Sequence, residues 1–494
     1  MADAQDTAAV KAVLVKEIPA KSADLSEWYQ AVCYKAELVS LAPVRGCLAL
    51  RPYGYGLWER LQLELDARFK ATGHENAYFP LLIPRSLLAK EAQHVEGFAP
   101  EVAWVTHGGG EQLDEPLAIR PTSEVMVGTL YAQWVQSHRD LPILINLWNS
   151  VLRWEKRTRP FLRTLEFLWQ EGHTAHATHA EAQAEVLQML EIYREVAEAI
   201  AAVPVYVGEK SRSERFAGAI HTFSIEALMP DGRALQAGTS HDLGQNFSKA
   251  YDIAFTADDQ TMQHAWTTSW GMSWRMLGGL IMVHGDDRGL RFPPKMAPIE
   301  IVIVPIRKND DAQVLEAAQR LTRDLRAAGF RVKLDDRDDK KPGFKFADWE
   351  MRGVPLRIEI GDKDLAAGVV TIVRRDKQRG EDGAKGTLPI DGVGTRIPEL
   401  LAAIQANLFA QAKAFLAANT FVVTDRTEFF QRCRERAGMI DITWCERDAC
   451  EQHIKSETSA TSRNLHPLRK EDDGAVCIAC GEPATCRAYF AQSY

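Results

Sequence analysis

The chain has 494 residues, 46% hydrophobic and 26% charged, with 59 basic and 67 acidic side chains and a net charge of −8. That mixture suits a globular protein of roughly three domains and excludes a collagen, a coiled-coil rod and wholesale disorder. The negative balance argues against holding nucleic acid by bulk charge, and no unbroken apolar run approaches the ~18 residues of a membrane span.

Residues 1–13 lack the charged-then-apolar pattern of a secretion signal, so the expectation is a cytoplasmic protein without a membrane segment. A helix is predicted over 55–72, where Leu57, Leu61, Leu65 and Phe69 recur every four residues and Gly73 sits at the capping position. The short apolar stretch 77–83 contains Pro80 and reads as an edge strand or an interface. A second helix is predicted over 181–202, with Val186, Leu190, Tyr193, Val196 and Ile200 on one face.

Three prolines in residues 292–298 make a stiff linker. Beyond it, strands at 299–306, 331–334, 356–360 and 369–373 alternate with helices at 310–328 and near 345–352. This pattern predicts a small parallel or mixed α/β sheet. A helix over 400–417 connects to the final segment, where six of the eight cysteines fall in the last 62 residues. Cys445 and Cys450, then Cys477 and Cys480 before Gly481, have the look of a four-thiolate zinc knuckle. Cys433 and Cys486 lie outside that spacing and read as free thiols, with His453 and His466 as weaker substitutes for a ligand.

The most informative stretch runs from Leu152 to His173 and reads as strand, basic loop, strand. Residues two apart on a strand share a face. Arg153 and Glu155 are therefore expected together, as are Arg163, Phe167, Trp169, Glu171 and His173. A face that mixes aromatic and ionisable groups suits a ligand pocket better than a core, with a solvated hairpin as the plain alternative. Gly108 to Gly110 and Gly278-Gly279 match neither phosphate-loop fingerprint, and the former reads as a turn.

Arg-x-Glu, a loop, then Arg-x-x-x-Phe resembles the second signature motif of class II aminoacyl-tRNA synthetases. The fuller stretch, Arg153-Trp154-Glu155 with Phe161 to His173, resembles the prolyl-tRNA synthetase family in its archaeal and eukaryotic type, which also occurs in some bacteria. The likeness covers nearly the whole chain: residues 54–84 resemble motif 1, Arg120 to Glu124 the loop that grips the substrate amino group, Gln236 to His241 the strand beneath the substrates, and Trp270 to Arg275 motif 3.

The resemblance implies an α+β fold: a class II antiparallel sheet with flanking helices over residues 1–297, an α/β anticodon-binding domain over 298–400, and a connector helix with a small zinc-bearing α/β domain over 401–494. It implies a homodimer that activates L-proline with ATP and Mg²⁺ and transfers it to tRNA(Pro). Arg153 and Arg275 would be the catalytic arginines, on the α- and γ-phosphates. Arg153, Glu155, Arg163, Thr164, Gln236, Thr239 and Arg275 would seat ATP. Thr122, Glu124, Arg153, Trp169, Glu171, His173, Phe216 and His241 would hold proline.

Phosphoryl-type displacement asks for positioning and charge neutralisation, which arginines supply bidentately. By the same resemblance Phe346, Glu350 and Arg357 would read anticodon bases, and Cys445, Cys450, Cys477 and Cys480 would hold structural Zn²⁺. Residues 298–400 carry 20 basic and 19 acidic residues, so base reading there would rest on stacking and hydrogen bonds rather than net charge. About a hundred residues separate His173 from Trp270, too few for the editing insertion of bacterial-type enzymes. A sister synthetase for another amino acid, such as the threonyl enzyme with its catalytic zinc ligands, and a non-catalytic paralogue stripped of the ATP arginines are the rivals. The residues present disfavour both.

Overall fold

The computed structural model describes residues 18–94, 102–307 and 312–494. The expectation for residues 1–13 and the start of the 310–328 helix lie outside them. The chain divides into two units. One comprises residues up to Glu64, Ala197–Pro204 and Leu280–Phe415; the other comprises Leu65–Val196, Val205–Gly279 and Leu416–Tyr494.

The second unit is built on an eleven-stranded sheet. Its centre is four long antiparallel strands, Ile143–Leu152, Glu166–His176, Trp266–Ser273 and Ala234–Gly244, side by side in that order. His221–Leu228 and then Tyr206–Glu209 extend it on the Ala234–Gly244 side. Helix His179–Glu195 covers one face of the sheet with Val186, Met189, Leu190 and Tyr193. Thr178 and Glu181 close a capping box that fixes where this helix begins. The expected run to residue 202 ends differently: the α-helix stops at Glu195 and Val196–Ile200 widens into a π turn.

The sheet does not stop at Tyr206–Glu209. It continues through Thr461–His466, Cys486–Ala491, Met439–Trp444 and Thr420–Val422, so the segment rich in cysteine shares one sheet with the cavity described below. Beside the large sheet stands a three-stranded one, Leu82–Pro84, Glu111–Ile119 and Trp104–Gly108. Its hairpin turns at Gly109 and Gly110, both at positive φ, as the turn expectation requires. The stretch 77–83 is no continuous strand: Glu75–Asn76 pairs with Ile145 and Asn146, Leu82–Pro84 pairs with residues 117–119, and Pro80 lies in the gap.

The first unit holds a five-stranded mixed sheet in the order Val332–Leu334, Ile301–Ile306, Leu356–Gly361, Val369–Arg374, Lys385–Pro389. The first three are parallel and the rest antiparallel, and the last strand escaped the sequence reading. Its core joins Ile301, Ile303, Val314, Leu321, Leu356 and Ile358 with Ile397, Leu401, Ile404 and Leu408 of helix Val393–Ala418. That helix starts seven residues before the expected 400 and tolerates Pro398 near its start. Among the described residues it alone is long and apolar enough by composition to cross a membrane; here one face of it lies in the α/β core.

Candidate active site

One cavity of about 220 Å³ opens on the central strands of the large sheet. Trp169, Glu171 and His173 reach it from alternate positions of strand Glu166–His176, as the period of two required. Thr122 and Glu124 enter from the turn that begins helix Glu124–Trp134, and Arg153 from the first residue past strand Ile143–Leu152. Gln236, Thr239 and His241 come from strand Ala234–Gly244, and Phe216 from the segment before His221. All eight residues expected at the amino acid, and three of those expected at the nucleotide, line this one space.

Polar groups are densely connected there. Glu171 accepts from the Ser123 amide at 3.1 Å, the Ser123 hydroxyl, Asn149 Nδ2 at 2.8 Å and Thr122 Oγ1 at 3.3 Å, and lies 3.1 Å from His173 Nε2. The Thr122 hydroxyl also donates to Glu124. Burial pushes the Glu171 carboxyl up, but the hydrogen bond and charge of His173, with Asn149 and Ser123, hold it down at about 2. Burial lowers His173, and Glu171 more than compensates, so its pKa is raised. His241 goes the other way: burial, then the Lys210 and His173 charges, push it down to about 3, so it is a neutral ring 3.0 Å from Thr222 Oγ1 and 4.7 Å from the Phe216 ring. The result is a buried carboxylate pair with an aromatic wall, suited to a compact ammonium with an apolar body.

The nucleotide group is less regular than expected. Strand Ile143–Leu152 ends before Arg153, and the next begins only at Glu166, so Arg153, Glu155 and Arg163 lie in the intervening loop and not on strand faces. Arg159 and Arg163 form an isolated bridge, and Pro160 stands between them. Arg153 Nε donates to Pro121 O at 3.0 Å, and its guanidinium sits 5.1 Å from the Trp169 ring centre. Arg163 pairs with Glu155 at 3.3 Å. The Thr164 hydroxyl is buried without a protein partner, as a group awaiting a ligand would be. Arg275 opens helix Arg275–His284 and donates from Nε to Leu162 O at 3.2 Å; burial, then the Arg163 and Arg153 charges, lower it to about 10. Glu155, Arg163, Thr164 and Arg275 do not line the cavity itself.

Cys445, Cys450, Cys477 and Cys480 converge, with all four sulfurs within 4.8 Å of one another. Cys445 and Cys480 are 3.6 Å apart and Cys450 and Cys477 3.8 Å. Thiolates about 2.3 Å from a tetrahedral Zn²⁺ stand about 3.8 Å apart, so this donor set fits that ion. His466 instead lies 3.2 Å from Asp441, and His453 packs on Phe430.

The tRNA synthetase class II core domain (G, H, P, S and T) family matches residues 104–284, the anticodon binding domain family 300–400, and the prolyl-tRNA synthetase C-terminal family 427–494. A proline–tRNA ligase of Natranaerobius thermophilus is 53% identical over 97% of this chain and 98% of its own. One from Symbiobacterium thermophilum is 52% identical over 97% and 99%. The chain belongs to the prolyl-tRNA synthetase family.

In this family member the α+β class II core and the anticodon-binding fold are the two sheets already described. Phe346, Glu350 and Arg357 meet in the α/β unit: the Arg357 guanidinium lies 4.4 Å over the Phe346 ring and 3.4 Å from Glu350. Glu350 is also held by Arg379 and Arg288, and Arg357 by Glu359 at 2.9 Å. The sequence reading missed Asn149, which receives Trp169 Nε1 at 2.6 Å while donating to Glu171. It also missed Glu214, Thr222, Ser269 and Gly271 on the cavity wall. Strand pairing would have found three of these, since Asn149 lies opposite Trp169, Ser269 opposite His173 and Gly271 opposite Glu171.

Proposed function

We propose that this chain is a prolyl-tRNA synthetase that condenses L-proline with ATP to prolyl-adenylate and pyrophosphate and then moves the prolyl group to the 3′ end of tRNA(Pro). The observation that carries the proline assignment is the buried Glu124–Glu171–His173 group, faced by Trp169, Phe216 and Arg153 in a small cavity. Glu124 and Thr122 accept from the secondary ammonium, while Trp169, Phe216 and the neutral His241 enclose the pyrrolidine ring. Arg153 lies between the two carboxylates and the remaining arginines, the place for a guanidinium that binds both the proline carboxylate and the α-phosphate.

In the activation step the proline carboxylate oxygen bonds to the α-phosphorus and pyrophosphate leaves. Arg153 and Arg275 bind and neutralise the phosphates and orient the two reactants, and no side chain needs to act as nucleophile. Glu155 and Arg163 bracket the base and Thr164, Gln236 and Thr239 the rest of the nucleotide. ATP carries more negative charge than Arg153 and Arg275 balance, and Arg163 is already paired with Glu155; Mg²⁺ bound with ATP would neutralise the remainder. The cysteine quartet would hold Zn²⁺ as a cross-link, since four protein ligands leave no open position.

The family matches support three functional parts, catalytic 1–297, anticodon-binding 298–400 and C-terminal 401–494. The motif 2 stretch and the hundred or so residues between His173 and Trp270 are the ground for reading an archaeal- and eukaryotic-type chain without an editing insertion. Exposed Tyr78, Leu81, Leu82 and Trp104 around the three-stranded sheet support a homodimer through that face. ATP and tRNA as substrates support a cytoplasmic setting. Exchange of pyrophosphate into ATP, run with each of the twenty amino acids and no tRNA, tests the reading. Exchange dominated by proline and abolished by Arg153→Ala is expected. Exchange with another amino acid would overturn the pocket assignment, and none with any would point to a non-catalytic tRNA-binding protein.

A further inference from the structure

Glu214 and Phe216 reach the cavity from a short segment that its own sheet barely holds. Strand Tyr206–Glu209 ends just before it, and the turn Arg212–Glu214 begins at Ser211 without a side-chain cap. Its own sheet holds Phe216, whose amide donates to Thr222 Oγ1 at 3.1 Å, but the groups that hold Ser211, Ser213 and Glu214 come from the other end of the chain. Glu451, on helix Asp448–Thr458, accepts the Ser211 hydroxyl at 2.9 Å and the Ser213 hydroxyl on one oxygen, and the Ser462 amide at 2.9 Å on the other. Ser462 donates its hydroxyl to Ser211 at 2.8 Å. Arg463 reaches Glu214 at 3.3 Å, and its Nε lies 3.9 Å from Glu226, which in turn pairs with Lys210 at 3.0 Å. Arg463, Glu451, Glu226 and Lys210 are all at most 3% exposed.

Four buried charges are a costly way to join two parts of a sheet. Elsewhere the two parts of the sheet are joined by an apolar cluster of Leu228, Ala234, Met439 and Ala491. The charged groups cluster where the pocket segment runs, and they pin its hydroxyls and its carboxylate individually.

We propose that the C-terminal domain is a clamp on the amino-acid pocket, with Arg463 and Glu451 as positioning residues that hold the Ser211–Phe216 segment, and so Glu214 and Phe216, against the substrate. The clamp rests on the reading of the cavity as a proline pocket. Its direct contacts are on the amino-acid side: among the residues assigned to the nucleotide, none touches Ser211, Glu214, Glu451 or Arg463 in the described hydrogen bonds and ion pairs, and Arg275 feels only the charge of Glu226 beside Arg463.

The test is steady-state pyrophosphate exchange on the full chain, with proline and ATP varied separately. Arg463→Met is expected to raise KM for proline on the order of tenfold or more while KM for ATP stays within about twofold, because a charge-assisted bond to a pocket carboxylate is lost. Arg463→Lys should recover part of that loss. Ser213→Ala, which removes one hydroxyl, should raise KM for proline about threefold to tenfold and leave cysteine-bound zinc unchanged. If Arg463→Met does not fold, Ser213→Ala and Arg463→Lys decide. Unchanged KM for proline in the folded variants, or equal shifts in both KM values, would overturn the clamp. Absence of proline-dependent exchange in the unmutated chain would overturn the pocket reading itself, a different result from exchange that the variants leave untouched.

Discussion

Burial and hydrogen bonding pull the Glu171 carboxyl in opposite directions, and hydrogen bonding wins. Held at about 2, against an ordinary value near 4.5, it contributes stability that is present above pH 4.5 and lost as pH falls toward 2. His173, raised by the same pair, contributes fully below its ordinary 6.5 and loses that contribution as pH climbs through its raised value. Glu171→Gln leaves His173 without its countercharge, so KM for proline in pyrophosphate exchange is expected to rise by on the order of a hundredfold.

His284 has the opposite sign. Burial drives it down to about 3, and its Nε2 donates to Ala201 O at 3.0 Å as a neutral ring. Below pH 6.5 the unfolded chain takes up a proton there that the folded chain refuses. Stability therefore falls as pH falls from 6.5 toward 3. Acid unfolding of His284→Gln should lose about 1 kcal/mol less than the unmutated chain between pH 7.5 and 5.5; an identical loss in denaturant titrations at both pH values would refute the assignment.

At this scale the strand residues of the site were legible and the loop residues were half so. Trp169, Glu171 and His173 obey a period of two, which sequence displays directly. Arg153 and Arg163 lie in a loop where strands are expected, because nothing local says that the ladder breaks at Leu152 and resumes at Glu166. The grip of Ser123 and Asn149 on Glu171 spans 48 and 22 positions, and only tertiary pairing reveals it.

Two glycines on neighbouring strands divide the labour of the two faces of the sheet. A Cβ on Gly172 would stand 2.1 Å from the Trp270 ring, which Phe69 and His74 wedge from the helix side. Gly172→Ala is expected to lower the thermal midpoint by several degrees through this clash. A Cβ on Gly271 would meet the Gln170 carbonyl at 3.3 Å and otherwise only the Trp169 ring edge, on the cavity wall. Gly271→Val should therefore keep the fold, as circular dichroism would report, and remove most exchange activity by filling the cavity.

The cysteine element carries its own prediction. Cys477→Ser should abolish stoichiometric zinc in metal analysis and expose the residues after 416 to proteolysis, whereas Cys433→Ser, outside the quartet, should do neither. The convergence of the four cysteines was readable because their spacing is local. The fusion of this element's strands to the catalytic sheet was not, since a one-residue pairing between Leu465 and Glu209 leaves no mark on either segment.

For the whole molecule, composition excluded the wrong classes and the motifs found the right family, while the joining of distant segments stayed hidden. The proposed dimer face is testable at this scale. Tyr78 is 77% exposed and Trp104 44%, and neither helix nor strand among the described residues covers them. Leu82→Glu together with Trp104→Glu is expected to halve the mass seen by sedimentation; an unchanged mass would place the interface elsewhere.

The continuous sheet also sets a timetable. Strand Tyr206–Glu209 is bordered by the strand of Asn464, which donates to Gly208 O across 256 positions of sequence. At roughly 5–20 residues per second, a ribosome needs on the order of ten to fifty seconds to make that stretch. Throughout this interval the nascent chain presents Tyr206–Glu209 as an open strand edge, with Lys210 beside it and Glu226 on the strand behind, both without Arg463. Such an edge is a template for pairing with a neighbouring nascent chain. Slowing translation after residue 226 should raise the aggregated fraction, and supplying the C-terminal segment as a separate polypeptide should lower it.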